Sequence, residues 1–253
     1  MLAHGDELLL LSDYDGTLTP IVADPVEAWL GTAVRNDLRL LARSDRIRLG
    51  IVSGRRLEDL RIRVRLPDVI YAGCHGLQID GPGIAFRHSR AVARRDVLEA
   101  LAHAIRRRTA AMPGVVVEPK GLALVVHYRH AAALATPRLE AALARVIRPH
   151  RGQVRLVRGR KVIDVLPTAG WDKGQAVVRI RDHARATTQR DPVTVYLGDD
   201  ASDELAFSAL AGDAVTVRVG RAARTSATYR LREVSDVHRL LSALAAKVAR
   251  SAA

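Results

Sequence analysis

Leu8-Leu9-Leu10-Leu11-Ser12-Asp13-Tyr14-Asp15-Gly16-Thr17-Leu18-Thr19-Pro20 is an apolar run that stops at two carboxylates. Four leucines bounded by polar residues read as a buried strand rather than a helix. Ligands of open α/β sheets bind off the carboxyl ends of strands, and Asp13 and Asp15 stand at such an end. In an extended exit, residues two apart point the same way. The two acids would then repel, and they need a cation, a shared proton or a frame of hydrogen bonds. Gly16 would let the chain turn sharply and offer its N–H to an anion. A simple acidic turn would show the same residues, because turns favour Asp and Gly.

Downstream, Thr32–Ala42 has helical spacing at Val34, Leu38 and Leu41. Ile47–Val52 reads as a second strand and runs straight into Ser53-Gly54-Arg55. Ser53 is expected to cap a helix over 56–64, and a hydroxyl beside exposed N–H groups there makes an anion site. Only about forty residues separate Asp15 from Ser53, room for one helix and one strand. Any lid must therefore enter later. Val69–Gly73 is a third strand leading into Cys74-His75-Gly76, and Asp80-Gly81-Pro82-Gly83 reads as a linker.

Beyond it the character changes. A helix over 92–109, a hairpin over 115–129, a helix over 137–147 and a hairpin across Arg158-Gly159 form a small α/β unit with antiparallel strands. Glu118 and Lys120 lie two apart near the first hairpin tip; together they can hydrogen-bond several hydroxyls, or form an ordinary surface ion pair. Trp171-Asp172-Lys173-Gly174 then opens a helix through about Ala184. A lysine at a helix N-terminus opposes the helix dipole, so an anion is expected beside Lys173. A strand over 193–197 ends in Gly198-Asp199-Asp200-Ala201-Ser202-Asp203-Glu204, four acids in six residues. Oxygen-only donors suit magnesium better than zinc. A last strand, Val215–Val219, an edge segment over 227–231 and a helix over 234–248 close the chain.

The 253 residues are 48% hydrophobic, enough for one large domain or two modest ones. One cysteine, Cys74, excludes an intrachain disulfide and suits the cytoplasm. The leucine run, preceded by Asp6 and Glu7, is too short to span a membrane, and no membrane partner is expected. A net charge of +13 points to polyanions. The arginines are dispersed without interleaved aromatics, however, and aromatics make up only 4%, so no nucleic-acid partner is expected. The charge favours a phosphorylated substrate.

Taken in order, Asp13/Asp15, Ser53, Lys173 and the acidic loop at Asp199 resemble the four motifs of the haloacid-dehalogenase-like (HAD) phosphotransferases. The loop at 198–204, the Ala-Gly-x-His-Gly segment around His75, and Glu-x-Lys with His127-Tyr128-Arg129 are similar to the trehalose-6-phosphate phosphatase branch. Two positions depart from it: Cys74 stands where Asn is common and Asp164 where Glu is usual. The resemblance implies a Rossmann-like HAD α/β core over 1–82 and 167–253, with an α/β cap of C2 type inserted at 83–166. It implies Asp13 as the nucleophile forming an aspartyl-phosphate and Asp15 as general acid/base. Gly16, Ser53, Gly54 and Lys173 would hold the phosphate. Glu118, Lys120, Arg55 and His75 would contact the sugar. Magnesium would be held by Asp13, Asp15 (through its backbone carbonyl) and Asp199, with Asp200 and Asp203 ligating through water or orienting the loop. The implied reaction is hydrolysis of trehalose 6-phosphate, a phosphorylated disaccharide, within trehalose biosynthesis, with room for a functional link to a sugar-phosphate synthase. The same core chemistry on sucrose, mannosylglycerate or pseudo-sugar phosphates is one alternative. A non-catalytic polyanion-binding protein is the other.

Overall fold

The computed structural model describes residues 7–159, 161–222 and 224–252, so Asp6 lies outside it. The chain divides into two compact units, 1–86 with 171–253, and 87–170. The first unit begins with β1 (Leu8–Ser12), α1 (Thr32–Ala42), β2 (Ile47–Val52), α2 (Leu57–Val64), β3 (Val69–Gly73), β4 (Gln78–Gly81) and β5 (Ile84–Arg87). The second holds α3 (Ser89–Val92), α4 (Arg95–Thr109), β6 (Val116–Pro119), β7 (Leu124–His127), α5 (Ala135–Ile147), β8 (Val154–Gly159) and β9 (Val162–Pro167). The first unit resumes with α6 (Lys173–Thr188), β10 (Val193–Gly198), α7 (Ala201–Ala209), β11 (Val215–Val219), β12 (Tyr229–Leu231) and α8 (Val234–Ala252).

Eight strands of the first unit form one sheet in the order β12-β11-β10-β1-β2-β3-β4-β5. From β12 through β3 all neighbours are parallel. β1 lies inside the sheet, which explains its unbroken leucines: a parallel strand covered on both faces has no polar side. Leu8 and Leu10 pack with α1, α2 and α8, around Leu38, Leu60 and Leu241. Leu9 and Leu11 face α6 and α7, around Val177, Ile180 and Phe207. The chain leaves β1 toward β2 on one side and returns as β10 on the other. This reversal is the crevice where open α/β sheets bind ligands. Register sets Ser12 beside Ile51 and Leu197, so Asp13, Ser53 and Asp199 emerge at one end.

Two local expectations are corrected. Asp80-Gly81-Pro82-Gly83 is the turn joining β4 to β5, two neighbouring strands, and not a linker. Ser53 does not cap α2: the cap position is Arg56, four residues after β2 ends, without a side-chain bond.

The second unit is a four-stranded antiparallel sheet, β6-β7-β9-β8. Val117, Val126, Ile163 and Val165 pack against Leu101 and Ile105 of α4 and Leu139 and Leu143 of α5. Pairing puts Glu118 opposite Val125 and Val125 opposite Asp164, so Glu118, His127 and Asp164 share the other sheet face. Residues 87–170 hold 17 of the 40 lysines and arginines but only 5 of the 27 acids. Nearly all of the +13 therefore resides in this unit, a concentration that the even scatter of arginine along the chain conceals.

Leu9 is fully buried, so Leu9→Ala should lower unfolding free energy by about 2–5 kcal/mol, read by denaturant titration. A loss below about 1 kcal/mol would contradict the two-sided burial of β1.

Candidate active site

The site is built at the ends of β1, β2 and β10 and the start of α6. Asp13 is tied to the sheet by its N–H, which donates to the Leu197 carbonyl at 2.8 Å. Lys173 opens α6, with Asp172 as the N-cap accepting from the Gln175 N–H. The anion expected beside this lysine is present twice. Lys173 Nζ, nearly without solvent exposure, donates to Asp13 Oδ1 and to Asp203 Oδ1, both at 2.7 Å. Burial opposes the lysine's charge, but the two carboxylates more than offset it and raise its pKa.

Asp203 has no oxygen left to share. Oδ1 also accepts from the Tyr196 hydroxyl at 2.6 Å, and Oδ2 accepts from the N–H groups of Asp199 and Asp200, each at 2.9 Å. Four donors on one buried carboxylate fix the shape of the loop. Asp200 caps α7: its Oδ1 accepts from the N–H and hydroxyl of Ser202 and from the N–H of Asp203. Desolvation works against the Asp200 carboxylate, yet Lys173 and the Ser202 hydroxyl outweigh it and bring the pKa down to about 2.

Asp13, Asp199 and Asp203 each present an oxygen within 4.8 Å of the others, a grouping able to hold a metal ion. Since Asp203 is saturated, Asp13 and Asp199 are the residues with capacity for a cation. Burial, then Asp203 and Asp200, push Asp199 up to about 7. Burial likewise drives Asp13 well above the usual carboxylate range, against the pull of Lys173. Crowded acids with raised pKa values lack positive charge, and a hard divalent cation would supply it.

Gly16 has φ +84°, and a Cβ there would lie 2.1 Å from Asp199 Oδ2. Glycine is needed here for room as well as for the turn. Its N–H is not offered to an anion as expected, because it donates to the Thr19 carbonyl at 2.7 Å. Ser53 is buried, and its Oγ accepts from the Arg55 N–H at 3.2 Å. That bond leaves the hydroxyl proton to point elsewhere. Gly54 sits under His75, with space for no Cβ: its ideal position is 2.9 Å from His75 Nε2.

A family model described as trehalose-phosphatase matches residues 11–235. The chain belongs to the trehalose-phosphatase family. It is 38% identical over 208 residues to the trehalose-phosphate phosphatase of Mycobacterium tuberculosis, covering 82% of this chain and 52% of that protein. The chain thus spans about half the length of the first curated relatives it matches. A solved structure of a trehalose-6-phosphate phosphatase related protein superposes with a TM-score of 0.82 at 25% identity, covering 96% of this chain and 99% of the other. A haloacid dehalogenase-like hydrolase from Bacteroides thetaiotaomicron has a TM-score of 0.67 at 14% identity over 94% and 99% of the two chains, a likeness of fold. The fold is the α/β HAD architecture, a Rossmann-like core with an inserted α/β unit.

Within this family member the remaining candidates fall into two groups. Asp15 is adjacent in sequence to the carboxylate group, but its own carboxylate pairs with Arg55. Arg55, expected at the sugar, is buried and committed to Asp15, Asp59 and the Pro25 carbonyl. Glu118 and Lys120 belong to the second unit; Glu118 Oε2 lies 2.8 Å from His127 Nε2. Tyr196 and Thr17 escaped the sequence reading. Tyr196 looked like a strand residue, yet its hydroxyl holds Asp203. Thr17 Oγ1 donates to Asp199 Oδ1 at 3.3 Å.

Cation binding should displace the proton of Asp199. The folded value is raised, so without cation this group's contribution to stability falls as pH rises from about 4 to about 7. The rise in melting temperature on adding a divalent cation should therefore be larger at pH 8 than at pH 5.5, and lost in Asp199→Asn. A cation effect independent of pH, or retained in Asp199→Asn, would contradict this assignment.

Proposed function

We propose that the chain is a magnesium-dependent phosphatase that hydrolyses trehalose 6-phosphate to trehalose and phosphate. The observation that carries the reading is Lys173, buried between Asp13 and Asp203 at the ends of parallel strands, beside the oxygens of Asp199. A positive charge against a carboxylate at a sheet crevice suits attack on a phosphate ester.

In this reading Asp13 attacks phosphorus, and the bond from phosphorus to the sugar oxygen breaks. Asp15 gives a proton to the departing oxygen. It then takes a proton from water, whose oxygen attacks the same phosphorus, and the electron pair of the Asp13–phosphorus bond returns to the carboxylate. The Ser53 hydroxyl, the Gly54 N–H and Lys173 hold the phosphoryl oxygens. Magnesium would be bound by Asp13 and Asp199 with the Asp15 carbonyl, and would supply charge neutralisation. Asp203 and Asp200 shape the loop and stay out of the chemistry. Residues 87–170 act as the cap in this proposal, reading the sugar hydroxyls through Glu118 and Lys120 with Asp164 on the same sheet face. Their positive charge draws the dianionic ester. A lone buried thiol suits the cytoplasm, where a sugar-phosphate synthase would supply the substrate.

The test is phosphate release with magnesium from trehalose 6-phosphate, sucrose 6-phosphate, glucose 6-phosphate and p-nitrophenyl phosphate. Trehalose 6-phosphate should lead by about 100-fold or more in kcat/KM, Asp13→Asn should be inert, and added salt should lower kcat/KM but not kcat. A lead by another sugar phosphate would overturn the substrate; an active Asp13→Asn would overturn the mechanism.

A further inference from the structure

Asp15 is the one proposed reacting group whose side chain is substantially open to solvent, with 38% exposure. An open carboxylate turns about two torsions, whereas proton transfer needs it fixed within hydrogen-bond reach of its target. The structure supplies the fixing. Arg55 Nε donates to Asp15 Oδ2 at 2.6 Å and Nη2 donates to Oδ1 at 2.7 Å, two parallel bonds from one planar fork. Arg55 is itself immobilised. Its side chain is 9% exposed, Nη1 donates to Asp59 at 2.8 Å, Nη2 also donates to the Pro25 carbonyl at 2.8 Å, and the guanidinium lies 5.4 Å from the Tyr14 ring centre. Asp59 is in turn held by Arg63 Nε at 2.7 Å, and Arg63 donates to the carbonyls of Val26 and Ala28. A relay of two buried arginines joined through the half-buried Asp59, Arg63–Asp59–Arg55, thus ends on Asp15. Arg55 also acts through its backbone, since its N–H occupies an Oγ lone pair of Ser53.

We propose that Arg55 is the positioning residue for Asp15 and does not contact the sugar; the inference rests on the acid/base role given to Asp15 above. A guanidinium that turns toward a sugar hydroxyl would break the fork and give up its bonds to Asp59 and the Pro25 carbonyl. Lysine cannot replace it, because an ammonium offers a point charge and no planar pair of donors. Because each Asp15 oxygen keeps its outward lone pair, the carboxylate can exchange a proton on that side while the fork holds its plane.

The experiment compares two esters. Trehalose 6-phosphate has a poor leaving group that needs a proton; p-nitrophenyl phosphate has a good one that does not. The readout is kcat/KM, which reports only steps through the first phosphoryl transfer. Arg55→Lys should lower kcat/KM about 30-fold or more on trehalose 6-phosphate and less than about 3-fold on p-nitrophenyl phosphate. Asp15→Asn should show the same contrast, and the double variant should be no worse than Asp15→Asn. Equal losses of Arg55→Lys on both esters, or losses that multiply in the double variant, overturn the positioning role. Equal losses of Asp15→Asn on both esters would instead overturn the acid/base reading, and this inference with it. Asp59→Asn leaves the fork in place but removes its support. It should give the same contrast at smaller size, and an equal loss on both esters counts against the proposal even if Arg55→Lys fails to fold.

Discussion

The Lys173 ammonium, shared between Asp13 and Asp203, is the interaction on which the rest of the molecule depends. It joins the first strand of the chain to a helix 160 residues later, and so closes a core interrupted by residues 87–170. A buried charge with one partner removed is costly, of the order of 3–5 kcal/mol. The site therefore requires all three groups or a different arrangement altogether. It also fixes where chemistry can occur. Asp203, saturated by Lys173, Tyr196 and two backbone N–H groups, turns the acidic loop into a rigid rim that holds Asp199 toward Asp13.

Five carboxylates in this small region have been given different work by their surroundings alone. Asp203 and Asp200 are consumed by hydrogen bonds and shape the loop. Asp13 and Asp199 are short of positive charge, as their raised pKa values express. Asp15 stands apart, outside the carboxylate group and on the Arg55 fork. In the proposed reaction the same side chain thus serves as scaffold, cation ligand or proton carrier according to which donors face it.

Much of this was legible in the sequence. The unbroken leucines of β1, the helix at Thr32–Ala42 and the acids at strand ends follow from burial on both faces and from periodicity. Lys173 announced its partners because a lysine at a helix start is unfavourable without them. What escaped depends on contacts far apart in the chain. Arg55 follows a motif serine and looks ready for substrate; only the approach of Asp15 and Asp59 shows that its donors are taken. The Gly16 N–H looks available until Thr19 folds back onto it. Asp80-Gly81-Pro82-Gly83 has linker composition, yet the edge of the sheet extends through it as a hairpin. Tyr196 reads as one more apolar strand residue, because nothing local points its hydroxyl at Asp203.

In the proposed reaction Asp13 carries the phosphoryl group. The most direct measurement is to quench the protein in acid during turnover of trehalose 6-phosphate with magnesium, reduce it with borohydride, and map its peptides by mass spectrometry. An aspartyl-phosphate is reduced to homoserine, so homoserine is expected at position 13 and at no other aspartate, dependent on substrate. Turnover that leaves position 13 as aspartate, or that modifies another residue, would contradict it.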